Sequence, residues 1–139
     1  STTEHRFEKV EIINGTRFIN DSKSTNFHSV SSASERVKNA LLIMHGITKN
    51  IPTSELQLSN EIKKIIIPND MNLDHNLFHC EVEVIKSIFE LEDILKKDFQ
   101  RFETVLFSCG GSSFNDFENY IARGKFFKSI VKNIKGCQN

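Results

Sequence analysis

Tryptophan is missing from this sequence of 139 residues, and tyrosine occurs once. The aromatic part of any core must therefore come from phenylalanine, of which there are twelve. Cysteine is sparse and odd in number: Cys80, Cys109 and Cys137 stand far apart, with no Cys-x-x-Cys pair. That pattern points to neither a zinc site nor a disulfide framework; it suits reduced thiols in a cytoplasmic protein. Net charge is absent, because 18 basic residues balance 18 acidic ones. Nucleic-acid modules usually carry net positive charge, since phosphate neutralisation drives their binding, so no nucleic-acid partner is expected. No apolar run nears the roughly 18 residues of a membrane span. The opening Ser-Thr-Thr-Glu-His-Arg lacks the apolar stretch of a signal peptide, and no membrane partner is expected. The chain also opens without Met and reads as a fragment or a processed chain. Finally, no Gly-Lys-Thr or Gly-Lys-Ser follows Gly110-Gly111, so a P-loop for ATP phosphates is lacking.

What is present suits one domain over residues 1–139, long enough to bury a core without staples. Phe7 to Ile13 alternates apolar and charged residues, Asn14-Gly15 follows, and Thr16 to Ile19 resumes the pattern. Asn-Gly between two such runs predicts an antiparallel β-hairpin with a type I′ turn. A helix is predicted over Phe27 to Lys38, and Ala40 to Met44 reads as a strand buried on both faces. Further on the pattern predicts a short helix over Ser54 to Ile62 and a strand over Lys63 to Ile67. Asn72 to Phe78 is ambiguous, with a short helix as one reading. A strand over Glu81 to Ile85, an amphipathic helix over Glu90 to Phe99 and a strand over Thr104 to Phe107 follow. The last helix is predicted over Phe114 to Ile134, with an irregularity near Gly124. Alternating strands and helices after a hairpin predict an α/β, Rossmann-like, mostly parallel sheet with helices on both faces.

In such folds ligands meet the loops at the carboxyl ends of the strands. Asp21 to Asn26, His45 to Asn50 and Ser108 to Ser113 are the loops that qualify, and they are rich in hydroxyls, amides, glycine and lysine. Lys23 with Ser22, Ser24 and Thr25 before a helix could receive an anion, or a Ser or Thr could merely cap the helix while Lys23 faces water. Lys49 after a buried strand is open to the same two readings. The Gly-Gly-Ser-Ser loop could cradle an anion or form a tight turn capped by Ser113. Together they predict an anionic ligand, a carboxylate or phosphate, at the sheet's carboxyl edge. Asp74, His75, His79 and Cys80 include a His pair spaced for one helix face, but no Glu stands inside it, and no metal site is assigned.

At these residues the sequence resembles a known family. His5-Arg6-Phe7, then Gly15 and Phe18-Ile19-Asn20-Asp21-Ser22-Lys23-Ser24-Thr25-Asn26, resembles the opening of the C-terminal domain of MurD-type ligases, which reads roughly "PHR…G…INDSKATN". Leu41 to Lys49 is similar to that family's "LLLGGxxK", Leu106 to Phe117 to "LLSPACASFDxF", and Asn119 to Phe127 to "NFExRGxxF". The likeness covers nearly the whole chain, although Ile51 to Gln100 matches only in pattern. His45 departs from the usual glycine, Ser108 to Ser113 departs from Ser-Pro-Ala-Cys-Ala-Ser, and Tyr120 stands where phenylalanine is common.

The resemblance implies the following. Such ligases use ATP and Mg²⁺ to activate the carboxylate of UDP-N-acetylmuramoyl-L-alanine as an acyl phosphate. The amine of D-glutamate then attacks to form an amide in cytoplasmic peptidoglycan-precursor synthesis. An N-terminal domain binds the UDP end and a central domain carries most of the ATP and Mg²⁺ site; neither is contained in this chain. The C-terminal domain presents D-glutamate and closes over ATP. By resemblance, Lys23, Thr25, Lys49, Ser113 and Tyr120 contact D-glutamate, while Arg6 and Asp21 meet ATP. No residue here is implied as a general base, nucleophile or metal ligand. The domain by itself is expected to be inactive, monomeric, and partnered in the complete enzyme by its own central domain. Two other readings stay open: the C-terminal domain of another Mur ligase or of a folylpolyglutamate synthase-like enzyme, and a Rossmann-like binding module without a catalytic partner.

Overall fold

The computed structural model describes residues 3–48 and 50–138. The chain opens with strands β1 (Glu8–Ile13) and β2 (Thr16–Asp21), paired antiparallel with Ile13 opposite Thr16. Asn14 and Gly15 between them have φ of +49° and +87°. Both values are positive, as a type I′ turn requires, and the hairpin expected from Asn-Gly is borne out. Four more strands follow: β3 (Ala40–His45), β4 (Ile62–Pro68), β5 (Glu81–Ile85) and β6 (Thr104–Gly110). The sheet order is β1-β2-β6-β3-β4-β5, and every pairing except β1–β2 is parallel.

The helices are α1 (Phe27–Ser34), α2 (Leu91–Asp98) and α3 (Tyr120–Gly136). The two-residue period of a strand divides the core between the two faces of the sheet. On β3, Leu41 and Ile43 pack with α2 and α3, whereas Leu42 and Met44 pack with α1. On β6, Val105 and Phe107 take the first face and Leu106 the second. Phe107 stacks on Phe127 of α3 at 4.7 Å between ring centroids; burial of one such side chain stabilises by roughly 1.5–3 kcal/mol. The expected α/β sheet with helices on both faces is the one observed.

Several local expectations are corrected. Ser54 to Ile62 is not a helix: only a 3₁₀ turn at Thr53–Glu55 forms. Ser31 and Ser34 of α1 take the amides of Gln57 (2.9 Å) and Ser59 (3.0 Å), so this segment is fastened to α1 instead of to itself. Helix α1 stops at Ser34, short of Lys38. Asn72 to Phe78 carries a 3₁₀ turn, His75–Leu77, capped by Asp74. The last helix begins at Tyr120 and not at Phe114, because Asn119 caps it by accepting from the Ala122 amide at 2.9 Å. It then runs unbroken through Gly124, so the irregularity expected there is absent.

The connections decide where a ligand can sit. The loop after β2 leads to α1 on one face, and the loop after neighbouring β6 leads to α3 on the other. Where adjacent strands send their connections to opposite faces, a crevice opens at their carboxyl ends. The loop after β3 borders the same crevice.

Candidate functional site

Arg123, one turn into α3, is the largest fully buried side chain and holds these loops together. Its Nε donates to Ser22 Oγ (3.1 Å) and its Nη2 to the Ser22 carbonyl (2.8 Å), in the loop after β2. Its Nη1 reaches His45 Nδ1 (3.1 Å), the His45 carbonyl (3.3 Å) and the Gly111 carbonyl (2.8 Å), at the ends of β3 and β6. All these acceptors are neutral, so among the described residues the guanidinium has no carboxylate bonded to it. A buried charge is retained only where its donors are satisfied, and the planar fork of arginine meets that requirement here. The result is a positive group seated beneath the crevice. Gly46 and Ser112 complete the junction. Ile47 and Ser112 exchange backbone bonds at 2.9 Å, and a Cβ on Gly46 (φ +120°) would run into the Ser112 carbonyl.

The loop after β2 is organised from within. Asp21 is buried, and its carboxylate accepts from the Phe7 amide (2.8 Å), Ser24 Oγ and Ser108 Oγ (2.7 Å). Asn26 caps α1 through the Ser29 amide (2.9 Å), which leaves Ser22, Ser24 and Thr25 without the capping duty considered for them. His5 packs on this loop from the N-terminal side. Its carbonyl accepts from the Lys23 amide (2.9 Å), and its Nδ1 pairs with Asn20 Nδ2 (2.8 Å). Burial holds the His5 ring below the ordinary histidine range, against the opposing pull of Glu4 and Glu8.

The expected ligand residues are partly brought together. Thr25, Ser113 and Tyr120 line one cavity of about 350 Å³, with Ser112, Phe114 and Asn119. The Lys23 ammonium lies over the Tyr120 ring, 5.7 Å from its centroid, a cation–π contact. Lys49 lies outside the described residues. Arg6 is exposed on the N-terminal segment and does not line that cavity; it stands next to the Phe7 amide that Asp21 binds. Ser113 caps no helix; its carbonyl receives the amides of Asp116 (3.2 Å) and Phe117 (2.9 Å) in a turn. Of the His pair considered for a metal, His79 is spent on the Ile62 carbonyl at 3.1 Å.

A second cavity of about 440 Å³ adjoins the first across Ile47 and Ile51 and carries Asp70 and Asp116. His45 Nε2 meets Asp116 Oδ2 at 2.7 Å. Burial pushes the His45 imidazole below its ordinary range and Arg123 adds to that, against the pull of Asp116 and Asp70. Cys109, wholly buried, is pushed up to about 12 and is inert as a thiolate. Residue-by-residue reading missed Arg123, His5 and Asp116. For Arg123 a signal existed: it falls on the apolar stripe of α3 with Phe127, Ile130, Val131 and Ile134, where a charge needs partners.

No family model matches the chain. Individual relatives do. The chain is 35% identical over 136 residues to the UDP-N-acetylmuramoylalanine–D-glutamate ligase of Thermosipho africanus, covering 94% of this chain and 32% of that enzyme. The ligase of the same name from Thermotoga maritima is 31% identical over 143 residues, 95% of this chain and 32% of the enzyme. That of Fusobacterium nucleatum is 30% identical over 152 residues, 96% and 33%. Over nearly its whole length the chain is thus similar to MurD ligases. It spans about a third of the length of the MurD relatives it matches, consistent with one domain of such an enzyme. Among the described residues no helix is long and apolar enough to cross a membrane.

Proposed function

We propose that this chain is the C-terminal domain of a UDP-N-acetylmuramoylalanine–D-glutamate ligase and that it presents D-glutamate for amide formation. The observation that carries this reading is the cavity at the carboxyl edge, where Thr25, Ser113 and Tyr120 meet beside Lys23. D-glutamate brings two carboxylates, which need cations and hydroxyl or amide donors. Lys23 offers the cation, Thr25 and Ser113 offer hydroxyls, and Lys49 is assigned the second cation. The buried Arg123 charge lies beneath the same loops and favours an anion above it. Holding the amino acid in one pose contributes by positioning, which can lower the barrier of a bimolecular step by several kcal/mol, up to about 7–11.

ATP with Mg²⁺, held mainly by a central domain, supplies the activation of the acceptor carboxylate. From this chain Arg6 offers the exposed cation for its phosphates. By resemblance Asp21 also meets ATP; with three internal donors on its carboxylate, its contribution is chiefly to seat the Phe7 amide beside Arg6. We also assign the protein to the cytoplasm as a monomer, with UDP-N-acetylmuramoyl-L-alanine as co-substrate. No group here is needed as base or nucleophile, so the chain by itself turns over no ATP.

In a ligase carrying this domain, Lys49→Ala should raise the KM for D-glutamate at least tenfold with a smaller change in the KM for ATP. An unchanged D-glutamate KM rejects the assignment, and tighter selection of another amino acid in competition would place the domain in a different Mur branch.

A further inference from the structure

His45 carries a constraint that the cavity residues do not explain. Arg123 Nη1 can only donate, so His45 Nδ1, 3.1 Å away, must accept. The ring proton then sits on Nε2 and is given to Asp116 Oδ2 at 2.7 Å. One neutral tautomer satisfies both contacts. The carboxylate of Asp116, only partly exposed, draws on the ring proton and makes Nδ1 a better acceptor for the guanidinium. Among the described residues it is also the carboxylate that reaches buried Arg123 through a single intervening side chain. The Phe117 ring meets the imidazole edge-on at 5.4 Å and closes its remaining side.

The geometry points to His45 as a positioning residue. With Asp116 it fixes the Arg123 fork, and thereby the spacing between the Ser22 loop and the Gly111–Ser113 loop, across which a dicarboxylate amino acid is held. This rests on the D-glutamate reading above. The charged groups facing the ring are Asp116 from the loop before α3, Arg123 from α3 and Asp70 from the turn after β4. A proton added at Nδ1 would set an N–H against the Arg123 N–H, and the link between the loops would open.

The test uses the ¹⁵N-labelled chain. Ring nitrogen shifts should show His45 as the neutral Nε2–H tautomer at about pH 6.5, where an unperturbed histidine is half charged. In a D-glutamate titration at pH 8, His45→Asn, whose Oδ1 replaces the Nδ1 acceptor, should bind within threefold of the unsubstituted chain. His45→Gln, which loses that acceptor, should bind at least tenfold more weakly. Affinity of the unsubstituted chain should fall as pH drops through the His45 titration, and His45→Asn should lack that fall. If the unsubstituted chain binds no D-glutamate, the function proposed above fails, and the ligand-free spectra still decide the role of His45. There, His45→Gln should shift the amides of Ser22, Gly111 and Ser113, and His45→Asn should not. If His45→Gln does not fold, Asp116→Asn should move the His45 titration to lower pH. An Nδ1–H tautomer, equal behaviour of the Asn and Gln variants, or an unmoved titration in Asp116→Asn overturns the proposal.

Discussion

The ring of His5 occupies the space that a side chain at residue 124 would need. A Cβ built on Gly124 of α3 would collide with the His5 imidazole. The same ring steadies Asn20, and the His5 carbonyl holds the Lys23 amide. Two short runs far apart in the sequence, His5-Arg6 and Arg123-Gly124, are thus halves of one contact. It seats Arg6 and the loop that carries Lys23 against the first turn of α3.

Gly124→Ala should therefore destabilise, although alanine is the better helix former. The helix gains at most about 1 kcal/mol, whereas overpacking costs about 1–3 kcal/mol. Expulsion of His5 would also free the Lys23 amide. Chemical denaturation should show a lower midpoint, and amide exchange at Lys23 should quicken. A midpoint above that of the unsubstituted chain would show that His5 has room to move.

Arg123→Lys should not be conservative. A lysine has one nitrogen in place of a fork and cannot span Ser22, His45 and Gly111 together. Each buried acceptor left without a donor costs about 1–3 kcal/mol, so a loss of about 2–4 kcal/mol is expected in urea unfolding. A loss below about 1 kcal/mol would mean that water replaces the fork without penalty.

Stability should fall on mild acidification. His5 and His45 are both held below the ordinary histidine value of 6.5 by burial. The unfolded chain then binds protons that the folded chain refuses, and stability rises with pH in that window. The contribution is complete above pH 6.5 and erodes as pH falls from there through the depressed folded values. Denaturation at pH 7.5 and 5.5 should show the loss, reduced in His45→Asn. Equal stability at the two pH values would contradict buried neutral rings.

Elements driven by local chemistry were legible in the sequence. Asn14-Gly15 fixes its turn by backbone sterics, and Leu41 to Met44 is apolar enough to be buried on both faces. Elements settled by distant partners were not. The segment from Ser54 contains Leu56 and Leu58 and suggests a helix, but its amides are taken by Ser31 and Ser34. Residues 114–119 look continuous with α3 until Asn119 is seen to cap it. At the site, the loop residues were legible as a set because hydroxyl and lysine chemistry clusters at strand ends. Their common tie was not, because a charged residue in a helix reads as solvated unless its place on the apolar stripe is weighed.

The crevice between the β2 and β6 loops is proposed to receive D-glutamate. This is tested most directly by titrating the ¹⁵N-labelled chain with D-glutamate and, separately, with L-glutamate. Saturable shifts are expected at the amides of Lys23, Thr25, Ser112, Ser113 and Tyr120 with the D enantiomer, and affinity at least tenfold weaker for the L enantiomer. Absence of saturable shifts, equal response to both enantiomers, or shifts confined to residues outside those loops would contradict it.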